Sequence, residues 1–299
     1  MCWLKMENLS IAFSGNDTDG PMFEMSNGGT LYLKNVHFDG NRYDTANGDP
    51  MWLFNDDAVT VLFEDCTFTD NDAVYRIANG SDVTFTNCSF EGNQQRFAID
   101  AATVTFDGCS FVNHSLSNGS MFTISNDADV VFESTSFIQT TSYGAIIALD
   151  DADLSVHNCS FRDNELKRIA VDVVAFWMTI TNEATIEFIG TAFLENTNPT
   201  IYVADSGTAY FNGTTFIDNL YKLSGSNASM VAIDGDVGSG SGLYFVGTEF
   251  TGNRGYEWII YSNDWASTIV VDGSTFRNND VVYDLEFTGT GLSCFVPLI

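Results

Sequence analysis

Apolar and polar positions alternate with a period of two along this chain, in short bursts that restart every few tens of residues. Each burst is marked by a phenylalanine: Phe13, Phe38, Phe68, Phe90, Phe111, Phe137, Phe161, Phe193, Phe216, Phe250 and Phe276. Asparagine stands three residues after all of these anchors except two, where His114 and Thr140 take its place. The asparagine therefore belongs to the repeat and not to any one loop. Two residues before the anchor stands a small residue: Val36, Cys66, Cys88, Cys109, Thr135, Cys159, Thr191, Thr214, Thr248 or Ser274. Five before it stands a large apolar residue, most often Phe (Phe63, Phe85, Phe106, Phe132), and seven before it an aliphatic one (Val61, Val83, Val104, Val130). The residues between are polar, which is the pattern of half-buried strands. The odd step from five to two predicts two short strands joined by a bend of about two residues, where the phase slips by one.

A third apolar run precedes each pair, as in Met51-Trp52-Leu53-Phe54, Phe97-Ala98-Ile99 and Thr200-Ile201-Tyr202-Val203. Three strands per repeat make one closed coil. Anchors lie 21 to 34 residues apart, too close for propeller blades, and leucine-rich repeats would place Leu in the repeated slots. The pattern predicts an all-β fold, a right-handed parallel β-helix of about eleven three-strand coils, stacked roughly 4.8 Å apart into a rod on the order of 50 Å long. Equivalent residues then form ladders, Phe stacking on Phe and Asn bonding to Asn. Asn also suits a left-handed corner, where its side chain can bond its own main chain. One domain covers 1–299.

Composition narrows the function. Of the 299 residues, 40 are Asp or Glu and 11 are Lys or Arg, giving a formal charge of −29. Such a surface repels nucleic acid and anionic lipid and attracts cations or basic partners. No stretch reaches the roughly 18–20 apolar residues of a membrane-spanning helix. Met1-Cys2-Trp3-Leu4-Lys5 does not read as a secretory signal, and the repeat is already under way at Leu9. The expectation is a fragment that lacks its caps, its signal and any anchor. Uncapped coil ends would offer open strand edges for end-to-end self-association.

The tetrads Phe38-Asp39-Gly40-Asn41, Phe90-Glu91-Gly92-Asn93 and Phe250-Thr251-Gly252-Asn253 resemble the FxxN repeats of the polymorphic outer membrane protein family. More broadly, the coils resemble the pectate-lyase-like β-helix superfamily. The resemblance covers almost the whole chain. It implies an exported, cell-surface or extracellular adhesin that binds a glycan or a surface protein. The partner motif Gly-Gly-Ala-aliphatic of that family is met only by Tyr143-Gly144-Ala145-Ile146, and its C-terminal membrane barrel has no counterpart in this sequence.

The wider superfamily also implies an alternative, a polysaccharide lyase or glycoside hydrolase acting on an acidic polysaccharide. Inverting hydrolysis requires two carboxyl groups roughly 6.5–9.5 Å apart, one of them protonated. Acid pairs such as Asp56-Asp57 and Asp150-Asp151 abound, so proximity alone selects none. His37, His114 and His157 fall at different offsets from their anchors and read as strand or corner residues. No residue is assigned a catalytic role. Cys66, Cys88, Cys109 and Cys159 share one inward column and read as small buried thiols.

Nine Asn-x-Ser/Thr sequons occur, at Asn8, Asn16, Asn79, Asn87, Asn113, Asn118, Asn158, Asn212 and Asn227. Several would carry glycans in a secreted eukaryotic protein. The repeat itself also writes Asn-(Cys/Gly)-(Ser/Thr)-Phe at its bend. Acids recur just before the first strand of the pair, at Asp57, Asp82, Asp129 and Asp153, and would repel one another unless a cation such as Ca²⁺ separates them. Arg42, Arg76, Arg96, Lys167, Arg168, Lys222 and Arg254 all follow an anchor by four to eight residues, so seven of the eleven basic residues share one loop edge. Tyr43, Tyr75, Tyr221, Tyr256 and Trp258 fall in the same segments. Arg would supply forked contacts to carboxylate or sulfate, and the rings would stack on sugars. That edge is the expected ligand-binding strip. The competing reading is that the cations only relieve repulsion on an acidic rod.

Overall fold

The structure, a computed structural model, describes residues 3–12, 21, 23–41, 52–117, 119–167, 176–223, 228–233, 240–264, 266–287 and 292–295. It is a right-handed parallel β-helix. All strand pairings among the described residues are parallel and join one coil to the next, as Val83–Phe85 align with Val61–Phe63 on one side and Val104–Phe106 on the other. Nine coils, from Trp52–Asn55 to Thr275–Arg277, have three separate strands. They are flanked by a coil in which Gly29–Asp39 runs as one strand through two faces, and by partial coils at each end. The regular rod is thus nine coils and not eleven, because the anchors count the incomplete ends; Phe13 lies outside the described residues.

Each coil has a first face (such as Asp82–Thr86), a second face (Ser89–Glu91) and a third (Arg96–Asp100). The bend between the first two is a single residue in the left-handed region. Asn35, Asp65, Asn87, Gly108, Ser134, Asn158, Gly190, Gly213, Gly247 and Gly273 all have φ between 49° and 62° there. One such residue turns the chain and reverses the inward parity, which accounts for the slip in the pattern. The backbone ladder continues through the bend: Asp65 donates to Thr86 O at 3.0 Å and Asn87 to Asp107 O at 2.8 Å. Asn8, Asn87 and Asn158 are sequon asparagines that hold this left-handed position.

Inside, the anchor rings form one unbroken column. From Phe38 to Phe276 each ring stacks on the next at 4.6–5.0 Å, within 10° of parallel. That separation matches the spacing of strands in a sheet, so stacking and backbone hydrogen bonds demand the same rise. The small residue two before the anchor is more than small. Thr135, Thr191, Thr214 and Thr248 donate a hydroxyl to a main-chain carbonyl of the preceding coil at 2.9–3.2 Å. Cys66, Cys88, Cys109 and Cys159 place a thiol on the equivalent carbonyl at 3.3–3.6 Å. All four thiols are free and buried, and burial pushes that of Cys159 up to about 12.

The asparagine of the repeat forms the expected side-chain ladder but does not hold the left-handed corner position. The left-handed residue at its corner is the one before it, such as Asp70, Gly92, Asp163 or Asp218. Asn itself is buried and bonds the preceding coil. Its Nδ2 donates to the anchor carbonyl there at 2.7–3.0 Å, as Asn71 does to Phe38 and Asn196 to Phe161. Its Oδ1 accepts from the preceding asparagine's Nδ2 at 2.8–3.2 Å. Two runs result, Asn41–Asn71–Asn93 and Asn164–Asn196–Asn219–Asn253–Asn279. His114 and Thr140 stand between them.

His114 Nε2 reaches Phe90 O at 3.2 Å, but its Nδ1 and the hydroxyl of Thr140 have no partner, although both side chains are buried. Burial pushes the imidazole down to about 4 from its ordinary 6.5, against a smaller opposing effect of the Phe90 carbonyl. The folded-state value lies below the unfolded one, so the unfolded chain takes up the proton first. The stability that comes with neutral His114 is therefore complete above pH 6.5 and lost as pH falls towards 4, about 3 kcal/mol in all. His114→Asn with Thr140→Asn should join the two runs and remove this dependence. Urea melts of both proteins should then show a stability gap that widens between pH 6.5 and 4.5; a constant gap would contradict the assignment.

Candidate ligand-binding face

The basic edge forms where the chain leaves the asparagine corner and enters the third face. Here a short ladder of single bridges runs Glu165–Thr197–Leu220–Arg254–Asp280. Arg254 is thus an exposed rung of a backbone ladder, with an acid one coil above it. Lys222 is exposed, and its N–H donates to Asn198 Oδ1 at 2.7 Å. Lys167 is half-buried, with its ammonium 3.5 Å from Glu165. Arg96 opens a third-face strand opposite Val74, and a side chain on Gly119 would come within 3.5 Å of its guanidinium. Arg76 lies exposed at the outward centre of Val74–Ala78, between Leu53 and Ala98. Arg42, Tyr43 and Arg168 lie outside the described residues.

These residues share an edge but do not form a continuous strip. Arg76 and Arg96 belong to successive coils. Lys167 comes three coils after Arg96, roughly 14 Å along the axis, and Lys222 two coils later. The expected aromatic half of the strip also needs correction. Tyr75 is fully buried, stacked between Trp52 and Phe97 at 5.7 and 4.6 Å. Tyr256 is 2% exposed, and its hydroxyl donates to Pro199 O at 3.3 Å. Trp258 is 8% exposed. Tyr75 turns inward by the alternation of Val74–Ala78, a strand of the third face, whereas Trp258 packs against Tyr261, 4.8 Å away. Tyr221 remains half-buried, its ring 5.5 Å from Tyr256. None of the three buried rings presents a face to a ligand.

The outward side of the third face supplies what those rings do not. In register from coil to coil it carries Arg76, then the small residues Ala98, Thr123, Ala148 and Thr179, then Tyr202. Tyr202 stacks on Phe176 at 4.1 Å. Asp100 and Asp150 border this floor, and each is held by an asparagine of the next coil, Asn126 and Asn182. The sequence pattern contained this arrangement, because Tyr75-x-Ile77 aligns with Trp52-x-Phe54 and Phe97-x-Ile99. Once that alignment is made, Arg76 and Tyr202 point outward by alternation.

The acidic corner does not assemble as a cation site. Asp82, Asp129 and Asp153 share one outward column, but Thr103 separates the first from the other two. Asp57 is three residues short of that column, in the turn where it lies against Gly80. All four are exposed. Among the described residues no group of three or more His, Cys, Asp or Glu side chains could hold a metal ion. The residues present do not fit a Ca²⁺ cage, which takes six to eight oxygens.

The sequence profile of the right-handed β-helix region matches residues 6–127 and 100–291. The chain belongs to that family. No curated protein matches it in sequence. Among solved structures it is similar to PfbA, a surface adhesin of Streptococcus pneumoniae, at 12% identity and a TM-score of 0.41, over 97% of this chain and 79% of that one. It is also similar to the A-module of the Azotobacter vinelandii mannuronan C-5 epimerase AlgE4, at 13% identity and a TM-score of 0.26, over 89% of this chain and 91% of that one. Adhesion and epimerisation are properties of those proteins.

The dispersed acids carry a direct expectation. Adding millimolar Ca²⁺ and then chelating it should leave the melting temperature of this β-helix unchanged to within about 1 °C, since no shared cage links coil to coil. A reversible rise of several degrees would show that the acidic corner does gather a cation.

Proposed function

We propose that this β-helix is a non-catalytic, adhesin-like binding module, secreted or held at a cell surface, that takes an extended glycan along its third face. The observation behind this reading is the outward column Arg76–Ala98–Thr123–Ala148–Thr179–Tyr202. Small side chains leave a flat floor on which a polymer can lie. The Phe176–Tyr202 stack offers a ring to a sugar at one end. Arg76 and Arg96 offer guanidinium groups at the other, suited to a carboxylate or sulfate. The FxxN resemblance agrees with this role. A strongly acidic surface limits nonspecific contact with other polyanions, so an acidic glycan must be recognised locally.

The alternative, a lyase or hydrolase of an acidic polysaccharide, has one observation in its favour. On the first face, His157 Nδ1 lies 3.4 Å from Glu133. A hydrogen bond from Asn158 at 3.0 Å, ahead of the nearby imidazole, holds the Glu133 carboxyl below the ordinary carboxylate range. A His–carboxylate pair is the kind of arrangement that general acid–base chemistry uses.

One experiment separates the readings. Purified protein is screened on a glycan array and then incubated at length with whatever polymer it binds. The binding reading expects retention without cleavage, and weakening of about tenfold or more for Arg76→Glu with Arg96→Glu and for Tyr202→Ala. Unsaturated or reducing ends that disappear in His157→Ala would establish the enzyme instead. Unchanged affinity in both third-face variants would remove the third face from the reading.

A further inference from the structure

The second face carries a surface that the proposed function does not use. Its outward column reads Val112, Ile138, Arg162, Leu194 and Ile217 on five successive coils. The column beside it is Ser110, Ser136, Ser160, Ala192 and Thr215, all small. The four aliphatic side chains are half-buried and point to solvent as two pairs, with Arg162 on the coil between them. On a chain of net charge −29, this is an aliphatic strip about 19 Å long at the strand spacing of a sheet.

Acids stand on both of its long edges, each over a different part of the strip. Asp163, Glu195 and Asp218 occupy the left-handed corner on three successive coils, each exposed and each next in sequence to a strip residue. Across the bend, Asp107 and Glu133 stand in register on the coils of Val112 and Ile138, after which that column continues with His157, Ile189 and Asn212. The edge already holds one cation. Arg162 turns its guanidinium away from the strip, 3.5 Å from Asp163 and 3.6 Å from Glu195. It thereby shows in place the contact that a partner's basic side chain would make.

We infer that this strip docks a basic amphipathic helix of another protein. The charge pattern selects that occupant. A second copy of the chain would set acidic edges against acidic edges, and an anionic bilayer would be repelled in the same way. A helix with a narrow apolar stripe presents Lys or Arg on both flanks, so that one flank meets Asp107 and Glu133 and the other meets Asp163, Glu195 and Asp218 further along. At 1.5 Å per residue, about 13 residues span the strip. The apolar side chains of such a helix recur about every 5.4 Å, close to the spacing of the rungs beneath.

The test uses the full chain and a synthetic peptide of about 14 residues with Leu along one helical face and Lys on both flanks. A scrambled peptide of identical composition serves as the control for charge alone. Calorimetric titration should show the amphipathic peptide binding at least about tenfold more tightly than the scrambled one. Leu194→Ser with Ile217→Ser, and separately Glu195→Lys with Asp218→Lys, should each cost about tenfold in affinity, while Arg76→Glu on the third face changes nothing. The charge reversals lie at exposed positions, so their melting curves should match the parent and exclude misfolding as the cause. Equal binding of both peptides, no binding of either, or parental affinity in the charge-reversed variant would each overturn the inference.

Discussion

The rise from one coil to the next is the constraint on which everything else depends. Parallel backbone bonding fixes it near 4.8 Å, and every side-chain column then has to be made of groups that tolerate an identical neighbour at that distance. Flat rings do, and the anchor column accordingly runs as phenylalanine without a break from Phe38 to Phe276. Carboxamides do, because each is donor and acceptor at once. Hydroxyls and thiols do, because each can turn its proton to a carbonyl of the coil before. A charge does not, and the charged side chains of the regular columns stand outside; Asp264, which is buried, lies in a connection.

That rule says which parts of the fold could be read from the sequence. Phe at the anchor, its apolar companions five and seven residues earlier, and Asn three residues later are repeated choices, so the coil and its inward set were legible. The bend was legible as a phase slip, but not as one left-handed residue, since Asn, Asp, Gly and Ser all fill it. The amide ladder of the repeat asparagine was legible, but the left-handed corner was placed one residue too late, because Asn suits both positions. Cys and Thr looked interchangeable for their size, whereas what they share is a proton to donate. The binding face was harder to see. Tyr75, Tyr256 and Trp258 follow a variable connection and look like loop residues, but each belongs to the third-face layer, where parity or packing buries it. Arg76 and Tyr202 could have been found only by aligning third-face strands across connections of unequal length.

The same geometry explains much of the acidity. Asp65, Asp70, Asp127, Asp151, Asp163, Glu183, Glu195, Asp205 and Asp218 all have positive φ, a conformation that Asp tolerates better than most residues. These acids stand at corners, where the chain must turn, while others, such as Asp82, Asp129, Glu133 and Asp153, lie on the strands themselves. The pattern of charge is therefore partly a by-product of turning.

The single-residue bend has one more consequence. Because every coil turns in the same way and presents the same groups upward and downward, neighbouring coils meet through interchangeable surfaces. The connections absorb all differences in length, from the 21 residues between Phe90 and Phe111 to the 34 between Phe216 and Phe250. A gene that duplicates or deletes one whole coil would therefore leave every remaining junction of the same kind. The reach of the rod is a quantity that can be inherited in steps of about 4.8 Å, while the identity of each face is preserved.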